Sequence, residues 1–252
     1  MKKVIYLQGH KNTINKYLLN KQNNMTRDKR KDEDHFSLII KSCQEKSNEE
    51  KKFMIENNCN TPISYFMLSD LLRGEFVARY SRGDSIRDLK RLYAEILDSY
   101  IASISDSDIY NISLEVISLG ILFEVDKSKL RQLYDLIKQY KQDDKIFSLF
   151  LHPVLQTMDI YPKLRFKKSK STLMLEKILS SNKEDAQILI KDYLENYWYS
   201  KENLDEVYNS HKKGGYAGYW SWEAAAIVKV MNLDDSSFKD NEYYPSDLVH
   251  CL

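Results

Sequence analysis

Glycine and proline are scarce in this 252-residue chain, seven and four in all. Turn-rich all-β folds draw heavily on both, so the shortage points to helices joined by few tight hairpins. Cysteine is scarcer still. Cys43, Cys59 and Cys251 are odd in number, widely separated and form no C-x-x-C pair. No disulfide frame is expected, which suits a reducing cytoplasm. No apolar run approaches the ~20 residues of a membrane helix. The patch at residues 4–7 is too short for the apolar centre of a secretory signal. Charge of one sign is missing as well: Lys+Arg 38 stand against Asp+Glu 37. No whole-chain field therefore favours a nucleic-acid partner.

The usual signatures of catalysis are absent too. There is no G-x-x-x-x-G-K-[ST], no G-x-G-x-x-G, no H-E-x-x-H and no G-x-S-x-G elbow. The five histidines (His10, His35, His152, His211, His250) lie far apart, and a zinc site needs at least three converging ligands. No metal and no cofactor are expected. Cys43 and Cys59 sit beside apolar helical positions, where a free cysteine acts as a small buried hydrophobe. Glu49-Glu50-Lys51 superficially resembles the acid-x-lysine element of metal-dependent nucleases, but that tripeptide is common by chance on a charged helix. The basic stretch from Arg165 through Lys167 and Lys168 to Lys170 reads as a solvated loop entering a helix, since no aromatics interleave it.

What is present is helical periodicity. Residues 1–24 read as a polar extension, with Met25 an alternative start. Charges crowd from Arg27 to Asp34, and Phe36, Ile39, Ile40 and Cys43 follow at helical spacing; the charges suit a solvated helix face. Thr61-Pro62 opens a helix whose face carries Tyr65, Leu68, Leu72, Phe76 and Tyr80. Gly83 is placed to end it in a left-handed conformation, and Ser85 with Asp88 to cap the next. That next helix buries Ile86, Leu89, Tyr93, Ile96 and Tyr100, so the pair is expected to form an antiparallel hairpin. A Ser/Asp-rich break at residues 103–108 divides the chain into a 25–106 region and a 107–252 region. Residues 109–125 are strongly apolar and predict a central helix. Further helices are expected around Leu130–Ile137, at Ile146–Leu155, at Leu173–Leu179 and at Ala186–Trp198. The expected fold is all-α, a stack of antiparallel helical hairpins with roughly nine to eleven helices.

The C-terminal block departs from this amphipathic pattern. From Gly218 to Met231 the run is apolar almost all round, which predicts a buried helix. Tyr219, Trp220, Trp222, Glu223 and Ile227 are its expected core residues. The small Ala224, Ala225 and Ala226 permit close approach of a neighbour. Glu223 is either a core carboxylate tied to a tyrosine hydroxyl or an arginine, or a direct contact to a partner. Then come Asp234, Asp235, Asp240, Glu242 and Asp247, interleaved with Phe238, Tyr243 and Tyr244. Asp234, Asp235, Asp240, Glu242, Tyr243 and Tyr244 are candidates for a surface that mimics phosphate charge and carries aromatic anchors. The competing reading makes those aromatics core and those acids helix caps.

The run GYWSWEAAAIVKVMNLDDSSFKDNEYYPSDLV resembles the C-terminal signature of the polymorphic-nuclease immunity (PoNi) family. YSRGDSIRDLKRLYAEILDSY, residues 80–100, is similar to that family's N-terminal half, and MTRDKRKDEDHF from Met25 resembles how its members begin. The resemblance implies an all-helical protein that binds and neutralises a cognate DNase toxin of the PD-(D/E)xK type by occluding its active or DNA-binding surface, with no catalysis, no cofactor, and neither nucleic acid nor membrane as partner. A helical adaptor for some other protein is the alternative. Truncating Trp220 to alanine is expected to cost about 3–5 kcal/mol, to be read from chemical denaturation. A loss within surface-mutation range would take Trp220 out of the core.

Overall fold

A computed structural model describes residues 26–105, 110–156, 158–166 and 169–250. The expected extension at residues 1–24, the start at Met25, Cys251, Lys167, Lys168 and part of the 103–108 break lie outside the described residues. Among the described residues there are eleven α-helices and no strand, so the fold is all-α as expected.

Three long helices come first: α1 (Glu33–Glu56), α2 (Pro62–Arg82) and α3 (Ile86–Ser103). They begin and end where the side chains demand. Asp32, Thr61 and Ser85 each accept a hydrogen bond from a backbone N–H of the first turn they cap. Gly83 closes α2 at φ 108°, a conformation that a Cβ would strain. α2 packs between α1 and α3, so the hairpin predicted at residues 81–84 forms. Leu68, Leu72, Phe76 and Tyr80 of α2 and Leu89, Tyr93, Ile96 and Tyr100 of α3 are all buried in the core. The Tyr65 and Ile86 ends of the two stripes are only partly covered.

The second layer holds α4 (Tyr110–Leu122), α5 (Lys127–Gln139), α6 (Lys145–Leu155), α7 (Lys170–Leu179) and α8 (Lys183–Asp192). The helix expected to run to Trp198 widens after Asp192 into a π-helical turn over Tyr193–Trp198. A short α9 (Lys201–Leu204) follows, then α10 (Trp222–Met231) and α11 (Ser246–His250). α10 starts at Trp222 rather than Gly218, four residues later than the apolar run suggests. Residues 216–221 instead run extended, held by specific polar contacts. Ser81 Oγ donates to the Ala217 carbonyl (2.5 Å), the Trp220 indole N–H to Ser81 Oγ (2.8 Å), and the Ser221 N–H to the Tyr243 carbonyl (2.8 Å). A helix there would forfeit all three. Tyr80 meets both Trp220 and Trp222 edge-on, with centroids 4.9 and 5.0 Å apart.

α10 packs on α4, and this contact is the centre of the molecule. Ala224, Ala225 and Ala226 are fully buried; without longer side chains they let the two backbones approach. Polar groups at both ends are satisfied. Lys229 donates to the Leu122 carbonyl (2.9 Å) and pairs with Glu124 (2.8 Å), placing a cation at the C-terminal end of α4. The Tyr193 hydroxyl donates to Glu223 Oε1 (2.7 Å) across the core. Glu223 is therefore a core carboxylate tied to a tyrosine, one of the two readings of the sequence. Burial is the main force pushing its carboxyl up to about 7, with the Tyr193 hydrogen bond opposing.

Two outcomes follow. Gly218 has φ 153°, and a Cβ on it would meet Ser81 Oγ at 2.5 Å and the Trp220 indole nitrogen at 2.7 Å. Gly218→Ala should therefore lose about 1–3 kcal/mol, visible as a lower melting temperature, and an unchanged one would show that the extended segment has room to shift. For Glu223, the folded state holds a proton at pH values where the unfolded chain has released it. Its contribution to stability thus falls as pH rises from the ordinary carboxylate range through about 7. Relative to Glu223→Gln, which cannot ionise, the wild type should lose on the order of 3 kcal/mol between about pH 5 and pH 8. A stability difference independent of pH would refute it.

Candidate functional site

The acidic tail leaves α10 through Asn232, which takes the left-handed conformation at φ 51° and caps the helix. Asp234 then accepts from the backbone and hydroxyl of Ser236, and these bonds hold its carboxyl below the usual range. Asp235 turns inward. It is buried and accepts from the Tyr244 hydroxyl (2.9 Å), while the His250 Nε2 lies 2.8 Å away. Tyr244 packs edge-on against Phe238 at 5.2 Å, and burial beside Asp235 raises its hydroxyl pKa. The candidate tail residues thus separate. Asp235, Tyr243 and Tyr244 stitch the tail to the core, and Asp234, Asp240 and Glu242 stay exposed.

A strap formed by residues 26–31 crosses this region. The sequence suggested a solvated helix face over Arg27–Asp34; Glu33 and Asp34 are exposed in the first turn of α1 and Lys29 is exposed, but residues 26–31 precede α1 and Arg27, Asp28 and Arg30 turn inward. Arg27 donates to the Tyr80 and Asp84 carbonyls, at 2.9 Å each, and pairs with Asp247. Asp28 is buried, accepts from the Tyr216 hydroxyl and pairs with Arg30. The Arg30 guanidinium pairs with Glu242 and lies 5.4 Å from the Tyr219 ring and 4.9 Å from the Tyr243 ring. Tyr243 stacks on Tyr199 with centroids 5.1 Å apart and ring planes 10° from parallel. Arg30 and Tyr199 are the members of this cluster that periodicity missed. Arg30 lies inside the charged run and Tyr199 just past the expected Ala186–Trp198 helix, and no local signal marks either.

On the other side of Tyr219 a cleft of about 860 Å³ opens between the two layers. One wall is a face of α2 carrying Phe66, Arg73 and Val77, and another is the first turns of α4 with Tyr110 and Glu115. The π-helical turn supplies Trp198, the segment after α9 supplies Asp205 and Val207, and the extended segment closes the floor with Tyr219 and Trp220. Arg73 is fully engaged: it grips Glu115 with two N–H groups (3.1 and 2.7 Å) and reaches Asp70 with a third (3.1 Å).

The described histidines are held by internal hydrogen bonds. His35 and His152 bond to the carbonyls of Tyr216 and Met158, each at 2.8 Å, and His211 to the Tyr219 hydroxyl at 3.1 Å. Among the described residues no three His, Cys, Asp or Glu side chains converge to hold a metal. Cys43 and Cys59 are free and half-buried, and burial raises the Cys43 thiol pKa, away from the thiolate a nucleophile needs. Lys51 of the Glu-Glu-Lys tripeptide pairs with Glu95 of α3 (2.8 Å). Arg165, heading the basic stretch, donates its backbone N–H to the buried Asp144 (2.6 Å) and its guanidinium to the Gln142 carbonyl (3.3 Å). No described helix is long and apolar enough to cross a membrane.

A search of curated proteins finds no match. Among solved structures, "The Crystal Structure of Protein PA2201 from Pseudomonas aeruginosa" is similar over 92% of both chains, with a TM-score of 0.68 and 14% identity, which shows a shared fold. The family model for the N-terminal part of the PoNe immunity protein (PoNi) matches residues 19–135. The model for the C-terminal part matches residues 142–248. Together these matches span nearly the whole helical body, and the chain belongs to the PoNe immunity protein (PoNi) family.

Proposed function

We propose that this protein binds a cognate antibacterial DNase toxin in the cytoplasm and neutralises it by covering its active or DNA-binding surface, acting as an inhibitor rather than a catalyst. The observation that carries the reading is the family membership, with both halves of the family present in order along one chain. Physical chemistry supports it. A nuclease surface must carry cations to meet phosphate, and an inhibitor that presents carboxylates competes for them and gains steering from complementary charge. Within the tail the contact falls to Asp234 and Asp240, because Asp235, Tyr243 and Tyr244 are occupied internally and Glu242, though exposed, is held by Arg30.

The test is co-expression with the toxin encoded beside this chain, followed by co-purification. Protection of the host and a stoichiometric complex are expected; unprotected killing overturns the reading, and recovery of a different partner without protection favours an adaptor. For the tail, reversal of Asp234 and Asp240 to lysine should weaken toxin binding by about tenfold or more at low salt, with far-UV circular dichroism unchanged. The gap should narrow towards roughly 150 mM salt, where exposed charges are screened beyond ~8 Å. Equal affinities at low salt would remove the tail from the interface. Adding Asp235→Lys should instead destabilise the fold, because that side chain is buried.

A further inference from the structure

We propose that the cleft beside Tyr219 receives an arginine- or lysine-bearing segment of the toxin, so that the complex is keyed by insertion as well as by contact with the tail. This rests on the proposed function and names the place and the chemistry of the partner.

The charge balance of the cleft sets the sign of its occupant. Its lining carries one guanidinium, Arg73, and four carboxyl groups, of which Glu115 is neutralised by Arg73 and Glu223 is buried against Tyr193, leaving Glu202 and Asp205 to set the sign. Arg73 is consumed by Glu115 and by Asp70 and offers no free positive charge. Glu202 accepts from the Lys170 N–H at 3.0 Å, with the Lys170 ammonium 3.9 Å away. Asp205 stands exposed at the mouth. An anionic guest such as a phosphate would meet repulsion here, while a cation would meet surplus carboxylate.

The walls choose among cations. Phe66, Phe166, Trp198 and Tyr219 are among the lining residues, and a guanidinium gains from contact with aromatic side chains in a way a metal ion does not. The rim mixes exposed apolar residues with the exposed acids Asp70, Glu202 and Asp205. Val207 is 52% exposed on one side and Phe166 41%, and on the facing wall Ile63, Phe66 and Asp70 share the α2 stripe that continues to Arg73 and Val77. Apolar residues around a polar, concave centre are the arrangement by which protein interfaces exclude water from an inserted anchor. Insertion would also place the partner against Tyr219, whose other side carries Arg30 and, through it, Glu242.

The probe is the adjacent toxin carrying an inactivating substitution, titrated against full-length variants by calorimetry or biolayer interferometry. Asp205→Asn removes the charge and keeps a residue suited to the positive φ of 43° found there. Val207→Lys sets a like charge on the rim. Each should weaken binding about tenfold, chiefly through faster dissociation, and the pair by more. Glu45→Gln, on the exposed side of α1, should change nothing and serves as the control. Because both cleft positions are exposed, unchanged circular dichroism is expected, and Phe66→Ala provides a second, uncharged variant of the same cleft with the same expected loss. Full affinity in all three cleft variants while the wild type binds tightly would overturn the inference and leave the proposed function standing. Absence of wild-type binding and protection would overturn both.

Discussion

Every other part of the structure is arranged around the contact of α10 with α4. Both helices are apolar over most of their circumference, and neither can be left against water. α4 lies in the part of the chain matched by the N-terminal family model and α10 in the part matched by the C-terminal one. The two halves of the sequence therefore share one core cluster, which runs from Phe36 to Leu248. Three consecutive alanines, all fully buried, let neighbours pack close around α10, and its buried polar groups then need partners within the protein. Lys229 and Glu223 answer that need, the first at the free carbonyls of α4 and the second against Tyr193.

Close packing at the centre leaves the second half irregular at its edge. The chain reaches α10 by an extended segment and leaves α8 by a widened turn, and each is held by polar contacts rather than by its own helical ladder. Trp198 donates its indole N–H to the Tyr219 carbonyl at 3.1 Å, joining the two irregular pieces. Because neither piece lies flat on α2, the cleft remains between them. The strap at residues 26–31 closes the opposite side, where Arg27, Asp28 and Arg30 fasten the start of the described chain to its end. Rigid irregular segments on a helical frame are well suited to recognition, since their shape is set before a partner arrives.

Much of the helical frame could be read without coordinates. Phe76, Tyr80, Leu89, Tyr93 and Ile96 recur at helical spacing because a helix repeats every 3.6 residues, and all are buried. Thr61, Gly83 and Ser85 act through their immediate neighbours, so their capping roles follow from local chemistry. The candidate site was less accessible. Asp235 and Asp234 are adjacent and chemically identical, yet one is interior and the other solvated. The difference lies in Tyr244 and His250, nine and fifteen residues away along the chain. The charge run from Arg27 to Asp34 resembled a solvated helix face for the same reason: its partners Asp247, Tyr216 and Glu242 come from the far end of the sequence.

The amino-acid sequence by itself determined the all-helical class, the caps and faces of the long helices, the apolar character of the α10 region and the resemblance that led to the family. These depend on composition and on neighbours within a few residues. Only the tertiary structure decided where α10 begins, which carboxylates of the tail meet solvent, and that a cleft with surplus negative charge opens beside Tyr219. Each of those depends on groups brought together from distant parts of the chain, and burial or hydrogen bonding between them outweighs the local preference that the sequence displays.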